Sequence, residues 1–232
     1  MPTVAEKRRS FRALHERGCF AIPNPWDVGS ALYLQSLGFK ALATTSSGAA
    51  WSMGLADGAV PLEAMLAHFS ALVEATDLPV NADFLDGFAV EPEAVGANVT
   101  RCIATGVAGL SIEDSTRATP TLEFALAVER IGAARAAIDA AGGDVLLVAR
   151  SEMLLQNPPG PLKETIRRLV AFAEAGADCL YAPGASTRDD IRAIVEAVAP
   201  KPVNVLARNL GGLVMRDLAA MGVRRVSVGG SL

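Results

Sequence analysis

The chain has 232 residues, of which 51% are hydrophobic, 20% charged and only 5% aromatic, which excludes a disordered protein and suits one large core. The net charge of −4 and the few aromatic side chains argue against a nucleic-acid partner. No apolar run is long enough to span a membrane and residues 1–17 are polar and charged, so we expect a cytoplasmic protein without a membrane partner.

Helical patterns along the chain repeatedly end at a glycine that is followed by a short apolar run, as at Gly38, Gly106, Gly176 and Gly222. Glycine ends helices because it adopts left-handed backbone angles without a Cβ penalty. Short apolar runs are typical of strands buried on both faces. In chain order the pattern predicts strands near 20–22, 41–44, 80–83, 109–112, 145–149, 179–181, 203–206 and 225–228. It predicts helices near 4–17, 28–37, 61–76, 92–105, 121–141, 161–175, 187–198 and 213–220.

The alternation of strands and helices predicts parallel pairing and an α/β fold. Eight strands favour a single (β/α)8 barrel of the TIM type over residues 1–232, with an extra N-terminal helix. An open doubly wound sheet is the alternative. The final helix of such a barrel is absent from this chain, so apolar surface is expected near the closure. We therefore expect a homodimer or homotetramer whose interface lies near the last strand, the N-terminal helix and the helices that flank the closure.

Acidic side chains follow three consecutive predicted strands: Asp57 after the second, Asp83 at the end of the third, and Glu113 with Asp114 at the end of the fourth. The carboxyl ends of barrel strands meet on one face, where function gathers. Carboxylates held close together repel each other unless a cation neutralises them, and oxygen ligands favour Mg²⁺ or Mn²⁺. Taken singly, each acidic residue could instead cap a helix or face solvent.

Two further segments could bind an anionic substrate. Ser47-Gly48-Ala49 offers backbone N–H groups and a hydroxyl, either as a cradle for an oxyanion or carboxylate or as an ordinary tight turn. Arg150 ends a strand that should be buried, so its charge needs a partner. It could pair with the acidic cluster or bind a substrate carboxylate through two parallel hydrogen bonds.

Neither histidine nor any cysteine is a strong candidate for chemistry. His15 and His68 fall within predicted helices, where a surface or core position is expected. Cys19, Cys102 and Cys179 form no C-x-x-C pair and are expected to be buried thiols in a reducing compartment.

The order and spacing of several motifs resemble the isocitrate lyase and phosphoenolpyruvate mutase superfamily. The motifs are Ile22-Pro23-Asn24-Pro25-Trp26-Asp27, Ser47-Gly48-Ala49, Gly54-Leu55-Ala56-Asp57-Gly58, Asn81-Ala82-Asp83 with Asp86-Gly87, Ser111-Ile112-Glu113-Asp114, Ala149-Arg150, Glu174-Ala175-Gly176-Ala177-Asp178 and Val228-Gly229-Gly230-Ser231-Leu232. The resemblance implies a barrel with Mg²⁺ bound by Asp57, Asp83 and Glu113, partly through water. It also implies that Ser47, Gly48, Ala49 and Arg150 bind the substrate, and that Arg150 and Glu113 take part in catalysis.

The chain departs from the resembling family at three places. Asn81 stands where many members have aspartate, and residues 115–120 lack the K-[KR]-C-G-H segment that carries a catalytic cysteine. Ala182-Pro183-Gly184 replaces an acidic or histidine-bearing segment. The resemblance thus implies a Mg²⁺-dependent carbon–carbon lyase or decarboxylase that acts through an enolate on a small α-keto or 2-hydroxy di- or tricarboxylate. The alternatives are phosphonopyruvate-type P–C chemistry and a non-catalytic barrel that binds a carboxylate.

Overall fold

Eight short parallel strands alternate with helices in the computed structural model, which describes residues 1–156 and 158–232. Each strand pairs in register with the next in the order β1-β8-β7-β6-β5-β4-β3-β2. The strands are β1 (Phe20–Ile22), β2 (Leu42–Ala43), β3 (Val80–Asp83), β4 (Gly109–Glu113), β5 (Leu146–Arg150), β6 (Cys179–Tyr181), β7 (Val203–Leu206) and β8 (Arg225–Ser227). The predicted strands are confirmed to within one or two residues at each end.

The two edge strands of this sheet, β1 and β2, are joined by the segment that follows β1. The N–H of Ala43 donates to the carbonyl of Pro23 at 3.0 Å. The buried amide of Asn24 donates to the carbonyl of Thr44 at 3.0 Å, and its oxygen accepts the N–H groups of Val228 and Gly229 at 2.9 Å. Asn24 thus ties the ends of β1, β2 and β8 together. The sheet is a nearly closed barrel, so the barrel prediction is confirmed and the open sheet is excluded.

Nine helices lie among the described residues. They are α1 (Val4–Leu14), α2 (Val28–Ser36), α3 (Ser46–Ser52), α4 (Leu62–Ala75), α5 (Pro92–Ala104), α6 (Phe124–Ala140), α7 (Leu162–Glu174), α8 (Arg188–Val198) and α9 (Met215–Ala220). All eight predicted helices are present, whereas α3 was not predicted. No helix in the described ranges is long and apolar enough to cross a bilayer.

Helix α1 closes the amino-terminal end of the barrel. A capping box between Thr3 and Glu6 begins the helix. Phe11 is fully buried and packs into the barrel interior, where the ring of His15 meets Phe11 and Phe20 edge-on at 4.7 and 5.1 Å. A Cβ on Gly109 of β4 would lie 2.7 Å from Phe11, so only glycine leaves room for this plug. Phe11 thus fills the interior at the amino-terminal end of the barrel.

Candidate active site

A cavity of about 280 Å³ opens at the carboxyl ends of the strands. Every strand, or the loop that follows it, contributes to its wall. The polar residues of the wall are Asn24, Thr44, Thr45, Ser46, Ser47, Asp57, Asn81, Asp83, Ser111, Glu113, Arg150, Glu152, Tyr181, Arg208, Arg225 and Ser227. The structure therefore brings Asp57, Asp83, Glu113 and Arg150 together in one cavity, as expected for neighbouring strand ends of a barrel.

Arg150, the last residue of β5, is surrounded by carboxylates. Its Nη1 lies 3.2 Å from an oxygen of Asp83 and 3.0 Å from an oxygen of Glu113. Its Nε and Nη2 bond to the two oxygens of Glu152, the latter at 3.2 Å. The fork that could hold a substrate carboxylate is thus filled by Glu152, so the structure shows the first of the two predicted roles, pairing with the acidic cluster.

The cluster carries more negative than positive charge. The pKa of Glu113 is raised to about 8, mainly by burial and also by the charges of Glu152 and Asp83, while the charge of Arg150 opposes the shift. Partial burial and the charge of Asp83 also raise the pKa of Asp57, which lies exposed at the cavity mouth. Burial and the repulsion between carboxylates both disfavour the charged forms of Glu113 and Asp57, and a bound cation would favour them.

The ligand atoms of the site fit a hard divalent cation, although the side chains do not converge on one point. The candidates Asp57, Asp83 and Glu113 supply only carboxylate oxygens, which Mg²⁺ prefers. In the part of the chain that the structure describes, no three histidine, cysteine or acidic side chains converge closely enough to share an ion. The wider spacing suits a cation held partly through water, which is how Mg²⁺ usually binds.

The raised pKa of Glu113 gives a prediction for the metal-free protein. The fold favours the protonated carboxyl, so the stability that it contributes is complete below the ordinary pKa of 4.5 and is lost as the pH rises through about 8. We expect the free energy of unfolding to fall over this interval by at most about 1.4 kcal/mol per pH unit. Urea titrations in EDTA at several pH values should show that Glu113→Gln flattens this slope, whereas the exposed Glu123→Gln leaves it unchanged.

Ser47-Gly48-Ala49 does not form the predicted loop cradle but lies in helix α3. Ser47 lines the cavity, whereas Gly48 and Ala49 are buried behind it. The N–H of Ala49 is used within the helix, where it donates to Thr45 at 2.9 Å, and a Cβ on Gly48 would collide with Trp26 at 2.3 Å. The prediction is therefore corrected: Ser47 can meet a ligand, while Gly48 is needed for close packing against Trp26.

The amide that does face the acidic cluster belongs to Ser46. Its N–H donates to Asp83 at 2.8 Å, and the N–H of Asp83 donates to the hydroxyl of Thr44 at 2.8 Å. Helix α3 therefore orients the carboxylate of Asp83 through its first turn, where backbone amides attract negative charge.

Asp114, which is adjacent to Glu113, faces away from the cavity. It is buried and accepts hydrogen bonds from the hydroxyl of Ser151 and the N–H of Glu152, both at 2.8 Å. Its charge is balanced by the buried Arg168 of α7 at 3.3 Å. This pair fixes the loop after β5 and so holds Glu152 against Arg150.

Arg130 of α6 supports the cavity from behind. Its side chain is fully buried and bonds to three backbone carbonyls, those of Glu113 at 2.9 Å, Ala89 at 3.1 Å and Asp86. The loop that it holds contains Leu85 and Phe88 at φ of 50° and 55°, backbone angles that non-glycine residues rarely adopt. Arg130 therefore joins this strained loop to the end of β4. Nothing in the sequence pattern of α6 distinguishes Arg130 from a surface arginine.

Sequence reasoning also missed three residues of the cavity wall. Tyr181 ends β6, and its ring lies 5.2 Å below the guanidinium carbon of Arg150. Arg208 lies exposed at the mouth, and Arg225 is buried at the floor within β8. Tyr181 and Arg225 stand within short apolar runs, where they read as ordinary strand residues.

The histidines and cysteines lie outside this cavity wall. Cys102 and Cys179 are buried and Cys19 is partly buried, all three as free thiols. Burial raises the pKa of Cys179 to about 11 and that of Cys102 still higher, so neither is a nucleophile at neutral pH.

A parallel barrel with a polar, acidic cavity at the carboxyl ends of its strands has the architecture of a barrel enzyme. Its sequence matches the phosphoenolpyruvate phosphomutase family over residues 11–232. The chain belongs to this family, and the resemblance drawn from its motifs is confirmed.

Relatives of the chain share this fold over nearly its whole length. The structure of a Burkholderia cenocepacia J2315 protein, named only by class as a lyase/mutase, superposes with a TM-score of 0.94 at 47% identity and covers 98% of this chain and 83% of that one. The uncharacterized protein Rv1998c of Mycobacterium tuberculosis is 34% identical over 95% of this chain and 81% of its own length. The 2,3-dimethylmalate lyase of Eubacterium barkeri is 29% identical over 85% of this chain and 69% of its own length.

One more distant structure contains ligands. A phosphonopyruvate hydrolase solved with oxalate and Mg²⁺ superposes with a TM-score of 0.87 at 25% identity, covering 96% of this chain and 80% of that one. The named relatives thus include both a carbon–carbon lyase and an enzyme of phosphonate chemistry.

Proposed function

We propose that the protein is a Mg²⁺-dependent carbon–carbon lyase or decarboxylase acting on a small α-keto or 2-hydroxy dicarboxylate. The observation that carries the proposal is the excess of carboxylates around Arg150 in the barrel cavity, which calls for a hard cation. The lyase relative that acts on 2,3-dimethylmalate supports a substrate of this class. The hydrolase complex with oxalate and Mg²⁺ supports the choice of metal.

Asp83 and Glu113 would hold the metal from inside the cavity and Asp57 from its mouth. When bound, Mg²⁺ supplies positive charge that stabilises negative charge developing on a substrate oxygen. Arg150 orients Asp83 and Glu113, since its Nη1 lies within 3.2 Å of both, and its charge opposes the rise in the pKa of Glu113 that burial causes. Ser46 orients Asp83 through its N–H, and the hydroxyl of Ser47 is available to a substrate carboxylate or keto oxygen.

Tyr181 is the group best suited to deliver a proton to the leaving carbon. Burial raises its pKa to about 12 against the opposing charge of Arg150, so the hydroxyl stays protonated at neutral pH, and it lies in the cavity beside Ser227. Tyr181→Phe keeps the ring and removes only the hydroxyl. We expect kcat to fall by about 10²- to 10⁴-fold, the range of general acid catalysis, with little change in Mg²⁺ affinity. An unchanged kcat would remove Tyr181 from the proton path.

The class of reaction is tested by identifying the product that is released. The purified protein is incubated with a panel of keto and hydroxy acids, and pyruvate release is followed with Mg²⁺ and with EDTA. Metal-dependent pyruvate release supports the proposal. Phosphate release from phosphonopyruvate would favour P–C chemistry, and ligand binding without turnover would favour a non-catalytic barrel.

The homo-oligomer stays a prediction, and an exposed apolar patch on helix α2 supports it. Leu32, Tyr33 and Leu37 are 44%, 65% and 57% exposed on the helix that connects the two edge strands β1 and β2. Monomers rarely expose several large apolar residues side by side. We expect light scattering to show a dimer or tetramer, and the double variant Tyr33→Glu/Leu37→Glu to lower the mass. A monomeric parent protein would contradict the prediction.

A further inference from the structure

The floor of the cavity carries a buried cation that is paired with no carboxylate among the described residues. Arg225 of β8 is only 3% exposed, yet it lines the cavity. Its Nε donates to the amide oxygen of Asn204 at 2.8 Å, and its Nη1 donates to the amide oxygen of Asn81 at 3.3 Å. Both partners are neutral, so the floor is positive whereas the wall above it, around Arg150, is negative.

The third neighbour of Arg225 is His15, which is also neutral. Its Nδ1 bonds to the carbonyl of Phe11 at 2.8 Å, and a carbonyl can only accept, so Nδ1 carries the hydrogen. Nε2 is then left as an acceptor and lies 3.5 Å from Nη1 of Arg225. Burial and the charge of Arg225 lower the pKa of His15 to about 3, in agreement with a neutral ring.

A buried charge held only by neutral dipoles is costly, and an anion beside it offsets much of that cost. The hydrogen bonds of Arg225 to described residues use Nε and Nη1, so Nη2 is free to meet a ligand from the cavity. Ser227, two residues further along β8, lines the same part of the cavity. We propose that Arg225 binds the distal carboxylate of a dicarboxylate substrate at the cavity floor.

The spacing of the two charge centres fits this assignment, which rests on the proposed function. Asn81 contacts Arg225 and Asp83 contacts Arg150, and both side chains leave the same face of β3. Positions i and i+2 of a strand are about 7 Å apart. A substrate lying along β3 would thus place its reacting end near Asp83 and Glu113, and its distal carboxylate one strand layer below.

The residue at position 81 decides whether an anion can bind beside Arg225. The amide oxygen of Asn81 contacts Arg225 without neutralising it. An aspartate there would form an internal ion pair with Arg225 and repel a second carboxylate. Asn81→Asp therefore tests the proposal while it leaves Arg225 in place.

Malate and lactate form a matched pair of probes, because both are 2-hydroxy acids and only malate has a distal carboxylate. Their dissociation constants are measured by titration calorimetry in Mg²⁺ buffer on the whole chain. We expect the parent protein to bind malate at least 30-fold more tightly than lactate, in the range of one charge-assisted contact. In Arg225→Met and in Asn81→Asp this ratio should fall to within threefold of unity, with the affinity for lactate unchanged.

Arg208→Met is the matched control, since Arg208 is the other arginine that could reach a distal carboxylate, from the mouth. The ratio should persist in this variant. If Arg208→Met abolishes the preference, or if Asn81→Asp retains it, the proposal is overturned. If Arg225→Met does not fold, Asn81→Asp alone decides. Neither probe has to be turned over, so a protein that prefers malate but releases no pyruvate would refute the proposed function and leave this inference standing.

Discussion

Replacement of Asp83 by alanine is expected to lower Mg²⁺ affinity by at least tenfold and to reduce turnover by several orders of magnitude while the barrel stays folded. Asp83 contacts the guanidinium of Arg150 at 3.2 Å and accepts the N–H of Ser46 at 2.8 Å, at the centre of the acidic cluster. Its loss removes one of the carboxylates that would hold the cation. It also leaves the N–H of Ser46, in the first turn of α3, without its acceptor. Arg150 keeps Glu113 and Glu152 as partners, so no buried charge is left alone.

Asp77→Ala is the matched control, because Asp77 lies exposed just before the opposite end of the same strand, β3. Titration calorimetry with Mg²⁺ compares the two variants with the parent protein, and circular dichroism checks their folding. Asp83→Asn is the milder companion, since it keeps the shape and the acceptor for Ser46. Parent-like Mg²⁺ affinity in both Asp83 variants would exclude Asp83 from the metal site.

The barrel could be predicted from the sequence because its signals are local and repeat. A glycine that ends a helix, followed by an apolar run, marks one helix–strand unit of the barrel. Gly106 and β4 are an example. Helix α3 escaped the prediction because Ser46–Ser52 is only seven residues long, consists mostly of small residues and lacks an apolar periodicity. It forms because Thr45 caps its first turn and Gly48 allows close packing against Trp26.

The site was predictable only where chemistry coincides with a strand end. Asp83, Glu113 and Arg150 each close a strand, and parallel strands bring their carboxyl ends together. Tyr181 also ends a strand, but it closes an apolar run as an aromatic core residue would, and Arg225 begins β8 at the other end of a strand, so both were missed. The partner of Arg150 could not be predicted from the sequence, because its guanidinium could bind either a ligand or a carboxylate of the protein. Asp114 accepts the N–H of Glu152 and so fixes the loop that places Glu152 against Arg150.

The two arginines of the cavity divide its charge along the barrel axis. Arg150 is shared by three carboxylates near the mouth, whereas Arg225 at the floor contacts only neutral acceptors. A cation and an anion can therefore bind in one cavity without competing for the same side chains. The proposed metal and the proposed distal carboxylate would each use one part of this separation.

Replacement of Arg150 by lysine is expected to impair the protein although the charge is kept. The guanidinium spans Asp83, Glu113 and Glu152 at once through Nη1, Nε and Nη2, whereas one ammonium group cannot reach all three positions. Loss of the charge-assisted contact with Glu152 should cost about 1.5–3 kcal/mol. Expressed as activity, we expect kcat/KM to fall by about 10- to 150-fold. Steady-state kinetics on the identified substrate measures this change.

Arg135→Lys is the control that separates an effect on the cavity from the general loss of stability when a partly buried arginine loses its ion pairs. Arg135 is 17% exposed, as is Arg150, and it also joins two carboxylates, those of Asp178 and Asp139, but outside the cavity wall. Urea titration should show that both lysine variants are less stable than the parent protein, while only Arg150→Lys loses activity. Equal activity losses in the two variants, or near-parental kcat/KM in Arg150→Lys, would show that Arg150 does no more than stabilise the barrel. In that case the orientation of Asp83 would depend on the amide of Ser46 and the hydroxyl of Ser111, and that of Glu113 on the hydroxyl of Ser115.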